Sequence, residues 1–121
     1  FRRVLFRSVQ YTHARLASIE RKAGDVDAAP DWAVLEGAAP ILVSMGRFGE
    51  VVRSAAARAE PSEVTTYVLG LAREVNSWVA RERVLGQEPG VTAARLALVR
   101  GARQVIGNAL ALLGVGAPTE M

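Results

Sequence analysis

Apolar residues recur every third or fourth position through most of this chain, and no stretch alternates apolar with polar between turn signals. A helix returns a side chain to the same face about every 3.6 residues, whereas a strand does so every second one. The pattern therefore points to helices and argues against a sheet. The segment Val9–Gly24 shows it most clearly. At about 100° per residue, Val9, Thr12, Leu16, Ile19 and Ala23 share one stripe, the expected core face. Tyr11, Arg15, Ser18 and Lys22 share a separate arc about 60° wide. An aromatic ring, a guanidinium, a hydroxyl and an ammonium stand there together. They form either an ordinary solvated face or a surface for something planar and negatively charged.

Taken in order, Gly24 ends the first helix, and Asp25–Asp31 reads as a loop in which Pro30 restricts Ala29. Asp31 is the expected N-cap of a short helix, Trp32–Glu36. A second main helix covers about 39–46, with Pro40 in its first turn and Ile41, Leu42 and Met45 facing inward. Phe48, Val51, Val52, Ala55 and Ala59 mark a third helix. Ser62 is the expected N-cap of a fourth that runs to about Arg83, with Val64, Val68, Leu71, Val75 and Trp78 on one face. After the turn Gln87–Gly90, a last helix runs from about Thr92 to Leu113 and stops at Gly114. Leu98, Ala102, Val105, Ala109 and Leu112 line one side of it, and Leu96, Val99, Ile106 and Leu110 line another. That helix should be buried on more than one side. The sum is an all-α bundle of about five helices. Trp32 reads as a packing residue.

Residues 1–8 are expected to lie outside this domain. They do not begin with Met and do not join the helical pattern, and Leu5-Phe6-Arg7-Ser8 is what a common sequencing adapter encodes when translated. The domain is read as residues 9–121, the tail of something longer.

The chemistry available to the chain is limited. The 121 residues suit one domain with one modest core. The net charge is +3, and 14 of the 15 basic residues are Arg. A GC-rich coding background accounts for part of that bias. Arg also suits planar, bidentate contacts to nucleic acid. There is no Cys, hence no disulfide, thiolate metal site or Cys nucleophile. His13 is the only His and reads as structural, so zinc is not expected. Asp25 and Asp27 lack further ligand spacing for calcium. No Walker-type phosphate loop, nucleophile elbow or pair of carboxylates on one helix face occurs. No apolar run is long enough to span a bilayer, and no secretory signal is visible. These features fit a cytoplasmic binding or structural module, with no catalytic and no metal-binding residues.

Several segments resemble one family. Gln10-Tyr11-Thr12-His13-Ala14-Arg15, with Ile19 and Arg21-Lys22-Ala23-Gly24, is similar to the QYAHAR…SI.RKAG segment of arginyl-tRNA synthetases. That segment opens the C-terminal anticodon-binding, or DALR, domain of the family. Arg47-Phe48-Gly49-Glu50-Val51-Val52 resembles its RFPEVV, and Val75-Asn76-Ser77-Trp78 its FNSFY. Tyr67-Val68 with Leu71-Ala72 resembles YLYELA, and Val84-Leu85-Gly86 its VLG. The end is the strongest match: Ala94–Val99, Arg103–Ile106, Asn108, Leu112–Val115, Pro118 and Met121.

The resemblance implies an anticodon-binding domain of the class I synthetase type, with the anticodon stem-loop of an arginine-accepting tRNA as partner and no DNA or membrane partner. The family's full enzyme uses ATP with Mg to esterify arginine to its tRNA, in an upstream catalytic domain of the same polypeptide whose HIGH and KMSK-like signatures are absent here. This fragment would carry no cofactor. Tyr11 and Arg15 match family residues that help to form a pocket for a central anticodon base, and Met121 matches a terminal Met that contributes to it in some members. Unpaired RNA bases are read by such stacking and edge contacts. Ser18, Lys22, Asn76 and Arg103 are further candidate RNA contacts. Val79 stands where the family has an aromatic, which removes one stacking partner. Arg95, Arg100 and Arg103 lie either on a solvated face or against phosphates. The competing reading is a non-catalytic all-α bundle that binds another protein.

Overall fold

The computed structural model describes residues 2–121, and no strand occurs among them. Five α-helices follow in order: α1 (Arg2–Ala23), α2 (Ala39–Gly46), α3 (Phe48–Arg58), α4 (Ser62–Arg81) and α5 (Pro89–Leu112). A 3-10 helix, Trp32–Ala38, precedes α2. The long helices α1, α4 and α5 pack on one another; α2 and α3 lie against α4, and the 3-10 helix against α5 and α2.

The core follows the apolar spacing. Val9, Thr12 and Leu16 of α1 are buried, as are Val64, Val68, Leu71, Val75 and Trp78 of α4. On α5 both apolar stripes are buried as far as Leu110, including Leu96, Val99, Ile106 and Ala109, except at the half-buried Val105. Full burial of each Leu, Ile or Val contributes about 1.5–3 kcal/mol. The solvent-facing side of α5 is correspondingly narrow.

Four expectations need correction. Within the described residues, 2–8 do belong to the first helix: α1 is continuous from Arg2, and Phe6 is only 3% exposed. Phe6 stands three residues before Val9 and so extends the same stripe one turn toward the start. Phe1 lies outside the described residues. Ser62 is the first residue of α4 and not its cap. Pro61 precedes the helix, and its carbonyl accepts from the Val64 N–H at 3.0 Å. α5 begins at Pro89, earlier than Thr92, because the fixed φ of proline suits the first helical turn. Finally, Trp32 is 59% exposed and does not pack, and Leu42 and Leu112 are also exposed. Spacing puts Trp32 in line with buried Leu35 and Ala38, but it does not say where a packed face stops.

Asp31 does occupy the N-cap position of the 3-10 helix, without a side-chain cap bond. Its N–H instead donates to the Gly90 carbonyl at 2.9 Å, which ties the loop to the start of α5. Phe48 and Tyr67 stack with ring centroids 5.8 Å apart, and the Tyr67 hydroxyl donates to the Ser44 carbonyl at 2.6 Å. Burial pushes the Tyr67 hydroxyl above its ordinary pKa of 10.0; Arg47 opposes that shift and Glu74 adds to it.

Candidate functional site

The site depends on how the chain leaves α5. Gly114 has φ +71°, a left-handed conformation that an L side chain adopts only with strain. The Val115 N–H donates back to the Leu110 carbonyl at 2.9 Å and the Gly114 N–H to Ala111 at 3.1 Å. This Schellman turn reverses the chain. The remaining residues then lie against α1.

Three α1 side chains hold that tail. Gln10 Nε2 donates to the Gly116 carbonyl at 2.9 Å, and Arg21 Nη1 to the Thr119 carbonyl at 2.9 Å. His13 Nδ1 lies 2.7 Å from the Pro118 carbonyl. A carbonyl only accepts, so His13 donates from Nδ1. Between Gln10 and Arg21 the helix presents Ala14 and Ala17, both buried, whose small side chains permit close approach. The chain bends at Thr119, and Met121 comes to line the same cavity as Tyr11.

Tail and helix enclose an open cavity of about 680 Å³. Such a volume falls within the ~300–1,000 Å³ typical of small-ligand sites. Tyr11, Arg15, Ser18 and Lys22 line it from α1, Val79 from α4 and Met121 from the tail. Tyr11 is 52% and Met121 57% exposed, and Arg15 and Lys22 are exposed as well. Among the described residues neither Arg15 nor Lys22 forms an ion pair. Among the lining side chains Arg15, Arg21 and Lys22 outnumber the one carboxylate, Glu120, so the side-chain charge of the lining is net positive. Such a cavity offers a ring face, an apolar thioether and uncommitted cations.

Other candidate residues are not part of this cavity. Asn76 Nδ2 donates to Thr12 Oγ1 at 2.6 Å, a contact between α4 and the core face of α1. Arg103 is ion-paired through Nε with Glu20. Arg95 donates to the Arg83 carbonyl at 2.7 Å and pairs with Glu82 at 3.1 Å, beyond the last turn of α4. Arg100 is exposed. Sequence reasoning missed Gln10, Arg21, Thr119 and Glu120 as parts of the site. Only the matches at Gln10, Arg21 and Pro118 marked that neighbourhood.

Fold and cavity together define an all-α domain with an open cavity between its first helix and its tail. The family model of the DALR anticodon binding domain matches residues 9–121, and the chain belongs to that family. It is 42% identical over 123 residues to the arginine–tRNA ligase of Desulfosudis oleivorans, a match covering 93% of this chain and 22% of the relative. With the arginine–tRNA ligase of Pediococcus pentosaceus it shares 42% identity over 114 residues, covering 93% of this chain and 20% of the relative. The solved arginyl-tRNA synthetase of Thermus thermophilus is similar in fold, with a TM-score of 0.80 and 37% identity over 93% of this chain and 20% of that one. The chain thus spans about a fifth of the length of these relatives. No helix among the described residues is long and apolar enough to cross a membrane.

Proposed function

We propose that this domain binds the anticodon stem-loop of an arginine-accepting tRNA, as the C-terminal part of an arginine–tRNA ligase. The ATP- and Mg-dependent formation of the aminoacyl ester would take place in an upstream catalytic domain. The observation that supports this reading most is the convergence of Tyr11, Arg15 and Met121, the last of them 106 positions from Arg15, on one net-positive cavity. An unpaired base can stack on the Tyr11 ring against the Met121 thioether, while Arg15 reaches a base edge or a phosphate. Ser18 and Lys22, one and two turns further along α1, extend the same surface toward the neighbouring backbone. Asn76 and Arg103, engaged with Thr12 and Glu20, contribute by holding α1 in place.

The test is titration of a synthetic arginine anticodon stem-loop with the 121-residue chain. Tyr11→Ala and Arg15→Ala should each weaken binding by about 1–3 kcal/mol, the scale of a stacked base. Binding by the double variant as tight as that of the unaltered chain would remove the assignment.

A further inference from the structure

We infer that His13 is the positioning residue of this cavity: by holding the Pro118 carbonyl it sets where Met121 stands, without touching the ligand itself. The inference deepens the proposed function and rests on that reading for the identity of the ligand.

Three bonds tie the tail to α1, and they are not equivalent. Those from Gln10 and Arg21 are exposed to water, where a hydrogen bond contributes little net stability. His13 is 3% exposed and its bond to the half-buried Pro118 is the least exposed of the three. A bond partly withdrawn from water is stronger than an exposed one, and its loss leaves the buried His13 ring without this partner. The ring is also fixed from behind. A Cβ at Gly107 of α5 would lie 3.3 Å from His13 Nε2, so the imidazole lies closely against that turn of α5. The position of the Pro118 carbonyl is therefore set by the packing of α1 on α5. Met121, in the cavity wall, follows Pro118 by three residues, with a bend at Thr119 between them.

The experiment uses the 121-residue chain, folding verified by circular dichroism, with two readouts: the backbone ¹⁵N NMR order parameters of Gly116, Ala117 and residues 119–121, and affinity for a synthetic arginine anticodon stem-loop. His13→Ala should lower the order parameters of the tail while those of α4 stay unchanged. It should weaken binding roughly fivefold or more, the lower end of the loss of one stacked base. The His13→Ala/Met121→Ala double variant should bind no more weakly than the weaker single one, because both remove the same wall. His13→Asn, whose side-chain N–H occupies nearly the place of Nδ1, should restore both readouts. Should His13→Ala fail to fold, the Gln10→Ala/Arg21→Ala pair decides: the tail should stay ordered with His13 as its one anchor. Additive losses in the double variant, unchanged tail order in His13→Ala, or a tail released by the Gln10/Arg21 pair would each overturn the inference. Failure of the base-pocket reading looks different. Tyr11→Ala and Arg15→Ala would then leave affinity unchanged, while tail order would still decide whether His13 holds the strap.

Discussion

Asn76 of α4 donates to the Thr12 hydroxyl of α1 at 2.6 Å, and that hydroxyl in turn donates to the Ser8 carbonyl at 3.0 Å. The hydroxyl is thus acceptor and donor at once, on the stripe of α1 that faces the core. One turn of the helix carries this joint on its inner side and Tyr11 and Arg15 on its outer side. The orientation of the outer pair depends on the inner bond.

Replacing Thr12 by Val keeps the shape and strands the Asn76 amide. A fully buried unsatisfied donor costs about 1–3 kcal/mol, and Asn76 is half-buried, so Thr12→Val should lower stability by the lower part of that range in urea unfolding. Adding Asn76→Leu should recover part of the loss, since removing both partners of a bond is far less costly than removing one. Equal stability of Thr12→Val and the unaltered chain would show that the joint carries no net energy.

Much of this architecture is legible in the order of the residues. On α4 the 3–4 spacing of Val64, Val68, Leu71, Val75 and Trp78 suffices, because a helix that long has one face to bury and all five side chains are buried. The outer arc Tyr11, Arg15, Ser18 and Lys22 is legible for the same reason, since helix geometry alone puts them together. The tail is a different case. Its return rests on side-chain bonds to carbonyls 98 to 106 residues away, and no local pattern encodes them. The engagement of Asn76 and Arg103 is likewise long-range. Arg15 and Arg103 look alike in sequence, and only the presence of Glu20 beside Arg103 separates a committed cation from a free one. Phe6 was hidden by the unusual look of the first eight residues, although its spacing from Val9 is helical.

Ala59 holds a left-handed conformation at φ +54° where α3 ends. The Glu60 N–H donates to the Ala55 carbonyl at 2.9 Å, closing the kind of turn that glycine favours. An L side chain there is strained by about 1–2 kcal/mol, while glycine costs part of that in unfolded-state entropy. Ala59→Gly should therefore raise stability by roughly 0.5–1 kcal/mol, read as a higher urea midpoint with an unchanged slope. A lower midpoint would contradict the strain.

Tyr67 predicts an alkaline weak point. Burial raises its pKa above 10.0 in the folded chain, so between that value and the folded one the native state binds more protons than the unfolded state. Stability contributed by the neutral hydroxyl is then fully present below about pH 10 and is lost as pH rises through the folded pKa. Tyr67→Phe should flatten that part of the stability–pH curve. At neutral pH it should also lose the bond to Ser44, about 0.5–1.5 kcal/mol. Thermal unfolding of both chains from pH 8 to pH 11 measures the two effects; parallel curves would remove the role of Tyr67.

Salt separates the two kinds of contact proposed for the cavity. A cation that neutralises a phosphate of single-stranded RNA releases counterions, and log K falls with log salt by about 0.7 per phosphate. Lys22 is exposed, makes no ion pair among the described residues and lies in the cavity wall beyond Arg15. Lys22→Ala should weaken stem-loop binding at low salt and reduce the slope by about 0.7. Tyr11→Ala should weaken binding by a constant factor at every salt concentration, because stacking releases no counterion. Fluorescence titrations across a range of potassium chloride concentrations give both slopes. If Lys22→Ala left the slope intact, Lys22 would be a plain solvated residue and the backbone of the RNA would run elsewhere. A slope altered by Tyr11→Ala would mean that the ring orders a phosphate contact, and Arg15, one turn away on the same face, would be the cation it orders.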